Sequence, residues 1–223
     1  MRKFFQFTKK NEDVTELTVF GDITSLKWEE SDVTAYDFVE ELKAIATSKL
    51  TVRINSYGGE VSQGLAIYNA LQRFPGEVTT VCEGFACSIA SVIFMAGTNR
   101  MMPRTSLLMI HNAWTMAAGN SADFRKAADD LEKITQPSIE IYKASSILEE
   151  SAIKKMMDEE TWITADEAFS YGFATEIIES ETKQMVESFF VNHLVQKIKD
   201  YEKQLNPKPI TEVHPWDAYF GKQ

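Results

Sequence analysis

Residues 50–84 constrain the fold more than any other part of the sequence. This segment begins with the β-branched run LTVRINS, which is followed closely by Gly58 and Gly59. An amphipathic helix is predicted over residues 61–74, and after a Pro-Gly pair the run VTTVCEG reads as another strand. A strand, a helix and a strand in this order predict two parallel strands joined by a right-handed crossover. The sequence therefore indicates an α/β fold.

The remaining elements are predicted from hydrophobic periodicity and from helix-start signals. Side-chain caps are expected where Thr34 precedes Asp37, where Ser146 precedes Glu149 and where Thr164 precedes Glu167. The other predicted elements are a strand at 17–23, a buried helix at 88–96, a strand at 104–111, a long helix at 121–145 and a strand at 173–178. From residue 181 onward we expect one amphipathic helix and then a tail rich in proline and aromatic residues.

Composition excludes several classes of function. The net charge of −10 argues against nucleic-acid binding, because phosphate contacts need clustered Lys and Arg. Cys82 and Cys87 do not form a disulfide framework, and we read them as reduced thiols. No apolar run reaches the roughly 18 residues of a membrane helix. The apolar stretch near the start of the sequence is too short for a signal peptide. We expect a cytoplasmic protein with no membrane contact.

Three short pieces at the ends of core elements carry the candidate chemistry. Gly58 and Gly59 let backbone N–H groups approach a ligand closely. Ser88 stands at the start of a nearly all-apolar helix, where the helix dipole is positive and the N–H of Ile89 could face an oxyanion. His111 ends a hydrophobic strand, which suits a general base for a serine.

Simpler interpretations compete at each piece. Ser88 could merely cap its helix, and a strand-end histidine could be a satisfied core residue. Ser91 and Cys87 are the other nucleophile candidates, but a small buried packing residue is the better interpretation of both. His193 and His214 fall in the late helix and the tail, where we expect them to be solvated.

In combination, four segments resemble the Clp protease proteolytic subunit (ClpP) family. INSYGGEVSQGLAIYNAL resembles that family's INSPGG segment, and GFACSIASVIFMAG resembles its nucleophile segment. LMIHNAW resembles the segment of its histidine, and DEETWITADEAFSYGFATEI resembles the segment of its aspartate. The four occur in the family's order and cover roughly residues 17–178, so the resemblance is specific.

The resemblance implies a serine-type endopeptidase site. By position, Ser88 matches the nucleophile and His111 the base, while Glu160 takes the place of the family's aspartate. Asp158 and Glu159 are nearby alternatives for this third role. The N–H groups of Gly59 and Ile89 match the oxyanion hole, and Gly58 shapes the turn. No metal and no cofactor are expected.

The resemblance also implies the fold, the assembly and the partners. It predicts a ClpP/crotonase-type α/β fold of repeated ββα units with a protruding handle helix at 121–145. Residues 1–180 would form the peptidase domain, and residues 181–223 a C-terminal helix and tail. Homo-oligomeric rings, a heptamer or a stacked double ring, would enclose a chamber for protein or peptide substrates.

Partner and role are less constrained. No Walker-type phosphate loop is present, so any ATP dependence would come from a separate ring ATPase. The start of the sequence shows no obvious long axial-loop segment, and the wording ETWITADEA with the C-terminal extension is closer to the phage and prophage branch. Members of that branch trim capsid proteins during head maturation.

Two other functions stay open at this point. A catalytically silent ring subunit acting as a scaffold or adaptor is conceivable, because Glu160 replaces the family's aspartate. A crotonase-fold acyl-CoA enzyme would also use an oxyanion hole, although the serine and histidine motifs disfavour it.

Overall fold

The computed structural model describes residues 7–9, 14–27, 29 and 31–178. Eight strands and six helices lie within these residues, in a mixed α/β arrangement with a mainly parallel sheet. The strands are β1 (Phe7–Lys9), β2 (Val14–Phe20), β3 (Lys49–Ser56), β4 (Glu77–Cys87), β5 (Asn99–Pro103), β6 (Leu107–Ile110), β7 (Thr161–Thr164) and β8 (Glu176–Ile178). The helices are α1 (Ala35–Lys43), α2 (Val61–Gln72), α3 (Ile89–Phe94), α4 (Ser121–Ala144), α5 (Glu150–Asp158) and α6 (Ala165–Tyr171).

The sheet divides at β4, the longest strand. Its first part pairs in parallel with β3 and, at Thr79–Val81, with β5, while its last part, Phe85–Cys87, pairs in parallel with β6. The strand order is β1-β2-β3-β4-β5-β8, and β6 and β7 form a separate branch. Only β1 with β2 and β6 with β7 are antiparallel among the described strands. The predicted α/β class and its parallel β3–α2–β4 unit are confirmed.

Several predicted boundaries are corrected by the structure. The first predicted strand, at 17–23, instead runs over Val14–Phe20, because the chain turns at Gly21. The predicted strand at 104–111 contains only β6, and β5 was missed because its NRMMP sequence has neither β-branched residues nor alternation.

Two of the three predicted capping signals form. Thr34 Oγ1 accepts a hydrogen bond from Asp37 N–H, and Thr164 forms a complete capping box with Glu167. The predicted cap at Ser146 is wrong, because α5 begins after Glu149 and its N-terminus has no side-chain cap.

Helix α4 protrudes from the core, as predicted for the handle. Its 24 residues span about 36 Å. No residue between 121 and 134 is buried, and the buried side chains are confined to the second half, among them Ile139 and Tyr142. Only the C-terminal half of α4 therefore belongs to the hydrophobic core.

The expected helix and tail at 181–223 lie outside the described residues, and so do His193 and His214. Within the described residues, no helix is both long and apolar enough to cross a membrane.

Candidate active site

Ser88 occupies a one-residue turn between a strand and a helix. Strand β4 ends at Cys87 and α3 begins at Ile89. Ser88 has φ 54° and ψ −129°, a region that L-residues rarely adopt and that costs about 1–3 kcal/mol. Its N–H donates to the carbonyl oxygen of Met109 at 2.8 Å, which ties the turn to β6. Although Ser88 precedes the helix, its side chain makes no capping hydrogen bond, so the cap interpretation is wrong.

The Ser88 hydroxyl is instead directed at His111. Ser88 Oγ and His111 Nε2 are 2.7 Å apart, a normal hydrogen-bond distance. The pairing of β4 with β6 explains this contact, since Cys87 lies opposite Met109 and both strands end within two residues of the pair. The His111 side chain is only 16% exposed.

Glu160 lies on the other side of the imidazole. In the β6–β7 ladder Ile110 pairs with Thr161, and one further antiparallel step places His111 opposite Glu160. Glu160 Oε2 is 3.4 Å from His111 Nδ1, and the carboxylate side chain is 60% exposed. This contact is longer than the one between Ser88 and His111, and it is more exposed to solvent.

The two alternative acids have other partners. Asp158 Oδ1 accepts a hydrogen bond from Asn112 Nδ2 at 2.8 Å. Glu159 Oε1 lies 3.9 Å from Lys155 Nζ. Among the three acids of the DEE run, Glu160 is the one for which an ion pair with His111 is found.

The glycine pair packs directly against the Ser88 turn. Gly58 and Gly59 have φ 100° and 143°, which favours glycine strongly at both positions. A β-carbon on Gly58 would lie 2.8 Å from Ser88 Cβ and 3.1 Å from Ile89 N. A β-carbon on Gly59 would lie 2.0 Å from the carbonyl oxygen of Ile23. Both positions therefore have no room for a side chain.

Two backbone N–H groups lie at this point of the chain, one in the glycine loop and one at the start of α3. Ile23 N–H donates to Gly58 O at 2.8 Å, and Glu60 N–H donates to Ile23 O at 2.7 Å, so the bridge does not use the Gly59 N–H. The Ile89 N–H is the first of α3 and has no acceptor within that helix. Their role as oxyanion donors stays a prediction.

The competing nucleophiles are buried. Ser91 is fully buried, and its Oγ donates to the carbonyl oxygen of Ser88 at 2.6 Å. Cys87 and Cys82 are not in a disulfide, and neither has any exposed surface. Burial raises the pKa of the Cys82 thiol to about 12, which keeps it protonated. None of these groups is accessible to a substrate.

An aromatic row beside the pair was missed by the sequence analysis. Tyr57 and Phe85 meet edge-on at 5.9 Å between ring centroids, and Phe85 meets Trp162 at 5.3 Å. Desolvation by burial raises the pKa of Tyr57 to about 12. Trp162 is 44% exposed and lies in β7, two residues after Glu160. The available signal was the alternation of polar and apolar residues in the run TWIT. This run is too short to show that Trp162 meets Phe85, which is distant in sequence.

In the described ranges, no three His, Cys, Asp or Glu side chains form a cluster that could hold a metal ion.

The fold and this geometry together define a class: α/β proteins that hold a serine–histidine pair at the C-terminal ends of neighbouring strands. Comparison with known proteins narrows the class to one family. The sequence model of the Clp protease family matches residues 11–181, so the chain belongs to that family.

Several curated proteins are similar to the chain. ATP-dependent Clp protease proteolytic subunit 3 of Rhodococcus jostii (strain RHA1) is 35% identical over 133 residues, which are 59% of this chain and 66% of the relative. The ATP-dependent Clp protease proteolytic subunit of Deinococcus radiodurans is 32% identical over 133 residues, 59% of this chain and 65% of the relative. That of Bacteroides thetaiotaomicron is 30% identical over 177 residues, 74% of this chain and 80% of the relative. The chain thus spans just under two thirds of the first two relatives.

Proposed function

We propose that the chain is a serine endopeptidase that hydrolyses peptide bonds of protein substrates. The observation that carries the proposal is the 2.7 Å contact between Ser88 Oγ and His111 Nε2, at a strained turn after a buried strand. A serine hydroxyl is a weak nucleophile at neutral pH unless a base accepts its proton. A strand-to-helix turn of this kind presents a nucleophile to substrate in other hydrolases.

The proton movements follow from the two contacts of the imidazole. With Nε2 unprotonated, His111 accepts the hydroxyl proton as Ser88 Oγ bonds to the carbonyl carbon of the substrate. Glu160, near Nδ1, favours the tautomer that carries its proton on Nδ1 and stabilises the imidazolium. The same proton then passes to the leaving amine, and water hydrolyses the acyl-enzyme in a second round of base catalysis.

Backbone groups would stabilise the tetrahedral intermediate. The N–H groups of Gly59 and Ile89 are the donors we assign to the oxyanion. One such donor is worth roughly 10²–10³ in rate. The close packing of Gly58 on Ser88 and Ile89 N supports a shared site for both donors.

Assembly and biological role are part of the proposal. The protruding half of α4, with Phe124 and Ile134 exposed, is suited to contact a second copy in a homo-oligomeric ring or double ring. The relatives' names contain "ATP-dependent", so a separate ring ATPase is the partner to test first. Capsid or prohead maturation in a phage or prophage is the alternative role, which rests on the resemblance of ETWITADEA.

The decisive experiment labels the purified protein with a fluorophosphonate probe and maps the modified peptide by mass spectrometry. We expect labelling at Ser88 that is lost in Ser88→Ala and in His111→Ala. Hydrolysis of fluorogenic peptides should disappear in the same variants. Retained peptidase activity in Ser88→Ala would refute the assignment.

The outcomes also separate the other functions. An assembled protein that is neither labelled nor active would be a silent scaffold subunit. Acyl-CoA binding with hydratase activity would favour the crotonase-type enzyme. Size determination by analytical ultracentrifugation in the same sample tests the ring.

A further inference from the structure

A chain of hydrogen bonds leads from the base of α4 to the backbone at the Ser88 turn. Tyr142 OH lies 2.7 Å from Ser91 Oγ, and Ser91 Oγ lies 2.6 Å from the carbonyl oxygen of Ser88. Tyr142 is 1% exposed and Ser91 is fully buried. A buried polar group costs free energy unless it forms a hydrogen bond. Here both hydroxyl groups are hydrogen-bonded.

Counting protons gives the direction of each bond. The carbonyl oxygen of Ser88 can only accept, so the single hydroxyl proton of Ser91 is donated to it. Ser91 then has no second proton for Tyr142, and Tyr142 must donate its phenolic proton to Ser91 Oγ. Burial raises the pKa of Tyr142, which keeps that proton on the phenol.

The carbonyl that receives this bond is part of the peptide unit between Ser88 and Ile89. A peptide unit is planar and trans, so its C=O and its N–H point in opposite directions and turn together. Fixing the carbonyl oxygen of Ser88 therefore fixes the direction of the Ile89 N–H. Ser91 holds that oxygen twice, through its N–H at 3.0 Å and through its hydroxyl.

Tyr142 is itself held in a rigid setting. Its ring meets Phe173 edge-on at 5.8 Å between centroids. The Arg100 guanidinium donates to the carbonyl oxygens of Phe173 at 2.7 Å, Gly172 at 2.9 Å and Ser145 at 3.3 Å. These bonds tie the end of α4, the end of α6 and the start of β5 together behind Tyr142.

We propose that Tyr142 and Ser91 are positioning residues that aim the Ile89 N–H at the oxyanion by holding the strained Ser88–Ile89 peptide unit. The inference rests on the proposed peptidase function. Neither side chain touches the substrate. Each acts through the backbone, so the loss of either should lower kcat and leave KM nearly unchanged.

The test compares Tyr142→Phe, Ser91→Ala and the double variant with the parent in peptide hydrolysis, in affinity for a tetrahedral peptide boronate and in thermal unfolding. Ser91→Ala should lower kcat about 10- to 100-fold, a part of the 10²–10³ that complete loss of an oxyanion donor costs. Tyr142→Phe, which removes one oxygen atom, should lower kcat less. KM should stay within about twofold, and boronate affinity should fall with kcat. Tyr36→Phe, at an exposed position of α1, makes the same chemical change away from this network and should leave kcat unchanged.

The double variant separates positioning from simple stability. Ser91→Ala leaves the Tyr142 hydroxyl buried without a partner, whereas the double variant removes both polar groups, so its melting temperature should recover. If the side chains position the peptide, kcat should stay at the level of Ser91→Ala despite that recovery. A kcat that recovers with the melting temperature would overturn the inference, and so would a parental kcat in Tyr142→Phe and Ser91→Ala.

Failure of the underlying function gives a different result. If the fluorophosphonate probe does not label Ser88 in the parent protein, the proposed peptidase function fails and the inference fails with it. If the parent is labelled at Ser88 but all variants are labelled at the parental rate, only the inference fails. Should Ser91→Ala not fold, Tyr142→Phe alone still decides.

Discussion

Ser88 and Glu160 contact the same histidine from two differently built regions. Both have positive φ, 54° and 49°, and they are the only non-glycine residues with this conformation in the described part of the chain. The Ser88 turn is enclosed by buried neighbours and receives hydrogen bonds from Ser91. Glu160 is 60% exposed, and its N–H donates to Met157 O at 3.3 Å.

This difference shows which part of the candidate site has its geometry fixed by the surrounding structure. On the serine side, strain is maintained because packing and hydrogen bonds define the backbone from several directions. On the acid side, water competes for the carboxylate, and an exposed ion pair contributes little. We therefore expect the site to depend strongly on the serine region and more weakly on the acid.

The largest effect is expected for the nucleophile itself. Ser88→Ala should reduce peptide hydrolysis roughly 10⁵-fold or more, because the competing nucleophiles Ser91, Cys87 and Cys82 are fully buried. Circular dichroism should show an unchanged fold. Activity within about tenfold of the parent would break the comparison, since the reaction would then not need the buried region.

A smaller effect is expected for the acid. Glu160→Ala should lower kcat about 10²-fold, below the ~10⁴ that follows from disturbing a buried triad aspartate. Glu160→Gln keeps an acceptor for the Nδ1 proton and separates orientation from charge. Glu159→Ala, an exposed neighbour, is the matched control and should retain parental kcat. A loss as large as that of Ser88→Ala would show that the working site dehydrates this carboxylate.

Backbone strain offers a stability test of the same comparison. The mirror image of the Ser88 angles is ordinary extended backbone, so glycine adopts them freely. Ser88→Gly should be about 1 kcal/mol more stable than Ser88→Ala, after subtracting the entropy that glycine gains in the unfolded chain. The same pair at Glu160, which also has positive φ, should differ in the same direction. Chemical denaturation measures both, and a reversed order would contradict the assignment of strain.

The last effect concerns the support of β7, the strand that follows Glu160, and we expect it in stability and not in catalysis. Thr164→Ala should lower the free energy of unfolding by about 1 kcal/mol, because it removes the capping box of α6. Ser146→Ala is the control, since Ser146 does not cap α5 and its Oγ accepts a long hydrogen bond of 3.3 Å from Leu148 N–H, so it should change stability less. Parental stability in Thr164→Ala would mean that the cap does not contribute to stability.

Short sequence patterns predicted most of the helices and strands, but they predicted the ends of these elements less well. The β3–α2–β4 unit, the caps at Thr34 and Thr164 and the long α4 followed from patterns spanning a few residues. Strand β5 was missed and the cap at Ser146 was wrong, because in these places packing against distant strands and helices overrides the local preference. Ser88 and His111 could be singled out because both stand at the ends of apolar runs.

The sequence by itself determined the α/β class, the parallel unit at its centre and the residues that carry the candidate chemistry, since hydrophobic periodicity and glycine placement act over short distances. Only the tertiary structure decided which partners meet. The β4–β6 pairing brings Ser88 to His111, and the β6–β7 register places Glu160, rather than Asp158 or Glu159, at the imidazole. It also decided that Tyr142, 51 positions after Ser91, reaches that serine. The physical reason is that strand register and helix packing depend on the whole core, so contacts between distant positions are not written in any one segment.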